Sequence, residues 1–353
     1  MSTPEVVVID YGIGNLLSVR RGLEHCGAVV TVTARYKGAT GNDVDLRLNY
    51  NYGDVSPVGV AVAIVAMSGG TTNPDITTVT AALGDTQYHT IVTPFTDTAA
   101  LTVLESFAST RWGGMVMKEA QLFAAAVGTY STMTTLVAGR NSPFLCLMPT
   151  QKSPTTTWEV AAIAAALDAD QSSSPSNVNR PRQTMEMVGM LPPAETDRYT
   201  RAERNIHLQN GAATFLVDEG GVCRIERMVT TYKTSNGVPD PSYQDVEIMR
   251  TLGYLRYSTR VRIALRFPRF KLANDGTPIP PGQPIVTPKV IRDELITLFM
   301  DWQEAGLVEG LDQFKRELLV ERNTTDVNRV DAIIPPDLIN GLRVFAASVQ
   351  YRL

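Results

Sequence analysis

Between residues 58 and 170, short apolar runs alternate with stretches of helical spacing, and this alternation restricts the possible folds more than any other feature. The run "VGVAVAIVAM" (residues 58–67) is unbroken by charge and ends at Gly69 and Gly70, the pattern of a strand buried on both faces. After it, "DITTVTAALG" predicts a short helix begun by Asp75, "HTIVTPF" a strand, and "DTAALTVLESF" a helix with Asp97 at its start. "TYSTMTTLVAG", "PFLCLMP" and "TTTWEVAAIAAALDA" then continue as helix, buried strand and alanine-rich helix. Strands separated by helices of about ten to twelve residues pair in parallel, with the helices laid against the sheet. The expectation is an α/β layer with a mainly parallel sheet.

The flanking segments read differently. At the front, "VVVIDYGIGNLLSVRRGLEHCGA" predicts a strand, a glycine turn and a helix, and Val44, Leu46, Leu48 and Tyr50 alternate as in a half-buried strand. "DADQSSSPSNVNRPRQT" (residues 168–184) has almost no apolar residues and predicts a surface excursion. Gly220 and Gly221, set between two alternating apolar runs, predict a hairpin. "TSNGVPDPS" (residues 234–242) reads as a linker, and composition shifts after it. Beyond lie a long segment of helical spacing, a turn-rich loop around Asn274, Asp275 and Gly276, and a helix with Thr287 at its cap, Pro288 in its first turn and Gly306 past its end. Three strand-like runs close the chain: "RELLVERN", "RVDAIIPP" and "LRVFAASVQYRL". With 353 residues there is room for two or three domains; the divisions expected are residues 1–28, 29–235 and 236–353.

Charge and residue usage narrow the function. A net charge of −4 argues against a chain made to coat nucleic acid, and no apolar run approaches the ~20 residues that span a bilayer. Pro4 and Glu5 stand where a secretory signal carries positive charge. Cys26, Cys146 and Cys223 are far apart without a CxxC pair, so buried thiols are expected rather than a zinc site or a disulfide framework. His25, His89 and His207 are the only histidines, which limits catalysis and metal binding alike.

"IDYGIGNL" places Gly-x-Gly between strand and helix, but Leu17 stands where a dinucleotide fingerprint needs its third glycine, so a tight turn is favoured over an anion cradle. The same stretch resembles the first βα unit of the glutamine amidotransferase subunit of imidazole glycerol phosphate synthase, matching at residues 9–15 and 18–28. That family's nucleophile is a cysteine on a Gly-x-Cys-x-Gly turn. Here the cysteines lie in "EHCGA", "FLCLMP" and "GVCRI", and His207 is followed by Leu208 and Gln209 rather than by a His-x-Glu pair. A glutaminase fragment of histidine biosynthesis is the alternative this opening suggests, and its catalytic residues are missing.

From about Val29 onward the chain resembles the contractile tail sheath proteins of Mu-type bacteriophages. The segments that carry the resemblance include "VTVTARYKGATGNDVDLRLNY", "VAIVAMSGGTTNPDI", "QTMEMVGMLPP", "LQNGAATFLVDEGGVCRIERMVTTY" and "ELLVERNTTDVNRVDAIIPPDLINGLRVFAASVQYRL". The resemblance implies a subtilisin-like three-layer α/β core without protease activity, followed by an α+β C-terminal domain. It implies a structural subunit without cofactor that stacks with itself as a helical polymer of hexameric rings around a tail tube protein. Baseplate and tail terminator proteins are further implied partners, and membrane and nucleic acid are not. The implied location is the virion tail sheath, assembled in the host cytoplasm, where contraction drives delivery of genome or effector. Family members carry a longer N-terminal region, whose place is taken here by the amidotransferase-like piece.

Two sets of residues stand out as sites. In the closing run, Leu342, Arg343, Val344, Phe345, Val349 and Tyr351 belong to a segment with apolar residues on both faces and little charge, an edge liability unless another chain pairs with it. An ordinary closing strand of the same domain fits the pattern nearly as well; the resemblance favours exchange. In the long helix, Arg256, Arg260, Arg262, Arg266 and Arg269 follow Arg250 with no acid among them, which predicts a basic face toward a tube or other acidic protein partner. No Gly-x-Ser in a strand-to-helix setting accompanies the histidines, so a serine protease is not expected.

Overall fold

In the computed structural model, which describes residues 5–9, 29–34, 38–47, 49, 53–56, 58 and 63–352, β1 (Glu5–Ile9) pairs in parallel with β2 (Val29–Thr33). The glycine turn and helix expected between them, with His25 and Cys26, lie outside the described residues, as do Leu48, Tyr50 and Leu353. Where two further strands are expected, the described residues 44–47 and 63–70 have no ladder, and Val58, Ile64 and Val65 are exposed. A wholly apolar strand is stable only when neighbours cover both faces. Among the described residues no strand pairs with this run, and it crosses the surface to Gly70. There Asn42 grips the backbone from both sides, its Oδ1 accepting from Gly70 N at 3.0 Å and its Nδ2 donating to Gly70 O at 2.8 Å. A Cβ on Gly70 would meet Gly38 O at 2.2 Å, so the crossing requires glycine.

The expected alternation begins at α1 (Thr77–Leu83), whose first amide donates to Asp75 Oδ1 at 2.9 Å. It continues as β3 (Thr90–Val92), α2 (Thr98–Trp112), β4 (Gln121–Ala126), α3 (Tyr130–Ala138), β5 (Leu145–Pro149) and α4 (Thr157–Gln171). Asp97 caps α2 by accepting from Ala100 N at 2.9 Å. The strands form one parallel sheet, β3-β4-β5, with Leu122 opposite Leu145 and Phe123 opposite Cys146. Alternation along β4 and β5 divides two cores. Phe123, Ala125, Cys146 and Met148 pack against Val160, Ala161 and Ala164 of α4, while Leu122, Ala124, Leu145 and Leu147 pack against Leu101 and Leu104 of α2 and Val137 of α3. Helices therefore cover both faces of a sheet smaller than the sequence suggested.

The segment expected as a surface excursion is partly interior. Val178 and Arg182 are buried, because Arg182 finds Asp168 Oδ1 at 3.1 Å and Ser172 Oγ at 2.8 Å; polar residues enter a core when they satisfy one another. Then come α5 (Arg201–Gln209), started by a Thr200–Glu203 capping box, and the expected hairpin of β6 (Thr214–Val217) and β7 (Cys223–Arg227). The hairpin covers the α4 side of the sheet with Phe215 and Ile225.

The expected linker is stapled down. It folds as a small ladder of β8 (Thr234–Ser235) and β9 (Val238–Pro239), and Asn141 beyond α3 bonds to Lys233 N (2.8 Å) and Thr234 O (2.9 Å).

The C-terminal part starts with the 21-residue α6 (Val246–Arg266). It is followed by β10 (Lys271–Leu272) and β11 (Ile285–Val286), and by α7 (Pro288–Glu304), capped by Thr287 as expected. Asp275 has a structural role, accepting from Lys289 N at 3.0 Å. The remaining elements are β12 (Val308–Glu309), α8 (Leu311–Glu317), β13 (Leu319–Arg322), β14 (Val330–Ile333) and β15 (Asp337–Leu338). Leu255, Leu298, Phe299, Trp302 and Phe314 form this part's core, with Phe299 stacked on Phe314 at 4.1 Å between centroids. β13 and β14 make an antiparallel pair, as do β12 and β15.

Candidate functional site

Downstream of β15 the chain leaves its body in a series of tethers. Ile339 N donates to Leu307 O at 3.0 Å, Gly341 lies directly against Pro181, and Leu342 O accepts from Gln183 Nε2 at 3.3 Å. Arg343 then reaches Asp245 Oδ2 at 3.0 Å and also binds Glu247 Oε1, both at the start of α6. From residue 344 to residue 352 there is no ladder and every residue is exposed. Phe345 is 86% exposed, Val349 98% and Tyr351 86%. The closing strand is therefore not part of its own domain's sheets, and Arg343, expected as a subunit contact, is bound to its own body.

The tether point opens onto an ionic seam. Asp245 also accepts from Arg227 Nε at 2.8 Å, and Asp168, fully buried at the end of α4, holds both Arg182 and Arg250. The seam links α4, β7, α6 and the arm. Burial pushes Glu247 up to about 7, against the pull of Arg343 and with added repulsion from Asp245. A carboxylate raised in the fold from 4.5 favours folding in its neutral form, so its contribution is full below about 4.5 and is lost as pH rises through about 7. Glu247→Gln is thus expected to gain stability relative to the native chain between pH 5 and 8, by about 3 kcal/mol for a shift of this size. Urea unfolding of both proteins at each pH checks it; parallel pH profiles would refute the assignment.

The arginines expected to form a basic face on α6 are largely paired within the chain. Arg260 Nη1 lies 2.9 Å from Glu119 Oε1, Arg256 shares that carboxylate at 3.4 Å and stacks over Trp112, and Arg266 and Arg262 lie 3.2 and 3.5 Å from Glu294. Arg262 also binds Asp301. The neutralising acids come from the segment before β4 and from α7, so a count of acids along α6 alone could not reveal them. Arg269 is exposed, at φ 59°.

No reactive pair is assembled among the described residues. Burial pushes the Cys146 thiol far above its usual range and Cys223 up to about 11, the reverse of what a nucleophilic thiol needs. His89 contacts Gln87. His207 is fully buried between the rings of Tyr130 (4.8 Å) and Tyr199 (5.0 Å), with neither nitrogen hydrogen-bonded. Burial lowers the pKa of both histidines. Among the described residues no group of three His, Cys, Asp or Glu side chains could hold a metal ion, and no helix is long and apolar enough to cross a membrane.

Comparison with known proteins places this geometry. Residues 69–231 match the phage tail sheath protein central domain, and residues 238–352 match the phage tail sheath C-terminal domain. The two-part α/β body with its projecting arm is thus that of a virion structural protein. The chain is 41% identical over 328 residues to the Mu-like prophage FluMu tail sheath protein of Haemophilus influenzae, covering 93% of this chain and 67% of that one. It belongs to the phage tail sheath protein family. Two solved structures share the fold. The sheath tail protein of Listeria innocua aligns with a TM-score of 0.55 at 14% identity, over 96% of this chain and 92% of that one. That of Desulfitobacterium hafniense gives 0.52 at 17% identity, over 80% of this chain and 65% of that one. The chain thus spans about two thirds of the length of the prophage and Desulfitobacterium proteins. A separate match of 32 residues, 66% identical, is to the HisH subunit of imidazole glycerol phosphate synthase of Natronomonas pharaonis and covers 9% of this chain.

Proposed function

We propose that the chain is a subunit of a contractile tail sheath, polymerising with itself in stacked rings around a tail tube and contracting to drive delivery. The observation that carries this reading is the arm of residues 344–352, apolar along the face of Phe345, Val349 and Tyr351 and mixed along the other, exposed and unpaired. An extended segment of this kind is a strand donor: its backbone groups gain partners, and Phe345, Val349 and Tyr351 gain cover, when it is added to the sheet of another copy. Nine residues extend over about 30 Å, enough to reach a neighbour. Family membership supports the same use.

In this reading residues 29–235 form a sheath core of subtilisin-like layering, residues 236–353 an α+β domain bearing the arm, and residues 1–28 an unrelated piece. The protein works without catalysis or cofactor. Its partners are other copies, the tube, the baseplate and the tail terminator, and it assembles in the host cytoplasm before residing in the virion tail. With Arg256, Arg260, Arg262 and Arg266 sharing the three carboxylates of Glu119, Glu294 and Asp301, one positive charge of the four stays uncompensated, and it and the exposed Arg269 are what the basic set offers an acidic tube surface. Negative-stain microscopy of the purified chain, with and without tail tubes, tests the proposal: tubes or striated sheaths are expected, and dispersed particles under both conditions would overturn it.

A further inference from the structure

The tethers and the free arm meet at a sharp boundary, and the residue at that boundary is charged. Upstream, the root is held by single contacts to distant parts of the chain: one backbone bond from Ile339, the packing of Gly341 on Pro181, and one long bond from Gln183 to Leu342 O. Arg343 supplies the only ion pairs made by the tail after β15 among the described residues, and it makes them to two carboxylates at once. Its partners are rigid. Asp245 precedes the first residue of α6 and is fixed by Arg227, while Glu247 is buried with its second oxygen, Oε2, lacking any partner. Detaching Arg343 therefore leaves a buried carboxylate with no counter-charge in contact, and such a group costs far more unpaired than paired.

We propose that Arg343 is a latch: it clamps the root of the C-terminal arm to the start of α6, sets a hinge between residues 343 and 344, and holds the arm out as a pre-aimed strand donor. Arg343 is a positioning residue here. The use of the arm rests on the strand-donor reading above, whereas the latch itself is a property of the isolated chain. Fixing the root removes about five residues from the flexible segment and so lowers the ordering cost when the arm is captured. The latch also connects the arm, through Asp245 and Arg227, to the hairpin that covers the sheet.

Hydrogen–deuterium exchange on the full, unassembled chain tests this directly. In the native protein, protection should end between residues 339 and 344, with residues 344–352 exchanging as an unfolded segment does. Arg343→Ala should raise exchange at Ile339 tenfold or more while leaving residues 121–126 of β4 unchanged. Arg343→Lys, which restores one charge without the fork, should recover part of the protection. Glu247→Gln gives the second handle, since it is expected to stabilise the body at pH 8 and yet to speed exchange at the root three- to tenfold. A contact that only stabilised the fold would move both readouts in one direction. Unchanged root exchange in Arg343→Ala and Glu247→Gln would overturn the latch. A chain that shows the expected exchange pattern but never polymerises would retain the latch and reject the strand-donor reading.

Discussion

Asp168→Ala is expected to cost about 3–5 kcal/mol of unfolding free energy, the range for removing one partner from a buried ion pair. Its carboxylate is fully buried and serves two guanidiniums, Arg182 Nε at 3.1 Å and Arg250 Nη2 at 2.6 Å. Deleting it leaves Arg182, whose side chain has no exposed surface, with hydrogen bonds to Ser172 Oγ and backbone carbonyls but without its counter-charge. Arg182→Met is expected to lose less than half as much, because Asp168 keeps Arg250 and the methionine fills most of the vacated volume. Urea midpoints and slopes for the two variants measure the difference. Equal losses, or a loss below about 1 kcal/mol for Asp168→Ala, would show that the seam between α4 and α6 is not closed by this carboxylate.

The same seam shows where sequence reading reaches its limit. Asp168 and Arg182 sit in a stretch that pattern alone assigns to the surface, and 82 residues separate Asp168 from Arg250. Polarity signals exposure only while its partners are unknown, and these partners come together only in the tertiary fold. Strand β4 is hard to see in the sequence for the opposite reason: "QLFAAA" is short and half alanine, and a glutamine followed by five apolar residues carries neither a helical nor an alternating signature. The run at residues 58–67 looks buried in the sequence because composition records what a segment could bury, not whether neighbours are present to cover it. Elements fixed by local chemistry were legible in full. The Thr287–Pro288 start of α7, the Asp97 cap of α2 and the Gly220–Gly221 turn each depend on residues within one turn of chain.

Of the two site readings, the arm was the more legible. Its alternation with little charge could be seen directly, whereas its root could not, since Arg343 looks like any other arm residue until Asp245 and Glu247 are placed beside it. The basic set on α6 illustrates the converse: residues close in sequence share a helix, but much of their charge is offset by residues more than 25 positions away.

Removal of the arm has the second large expected effect. A chain ending at Arg343 should unfold at the same urea concentration as the full chain, because residues 344–352 form no ladder and stay exposed. Under conditions where the full chain forms ordered polymers, the shortened one should form none. Loss of folding together with loss of polymers would mean that the arm belongs to the body after all.

The most direct measurement places a photo-crosslinking side chain at Phe345 in assembled protein made from an equal mixture of two differently tagged populations. If the arm pairs with another copy, the product carries both tags, and peptide mapping finds the bond on a strand edge of the second chain. Crosslinks confined to single chains in the assembled material would contradict the account.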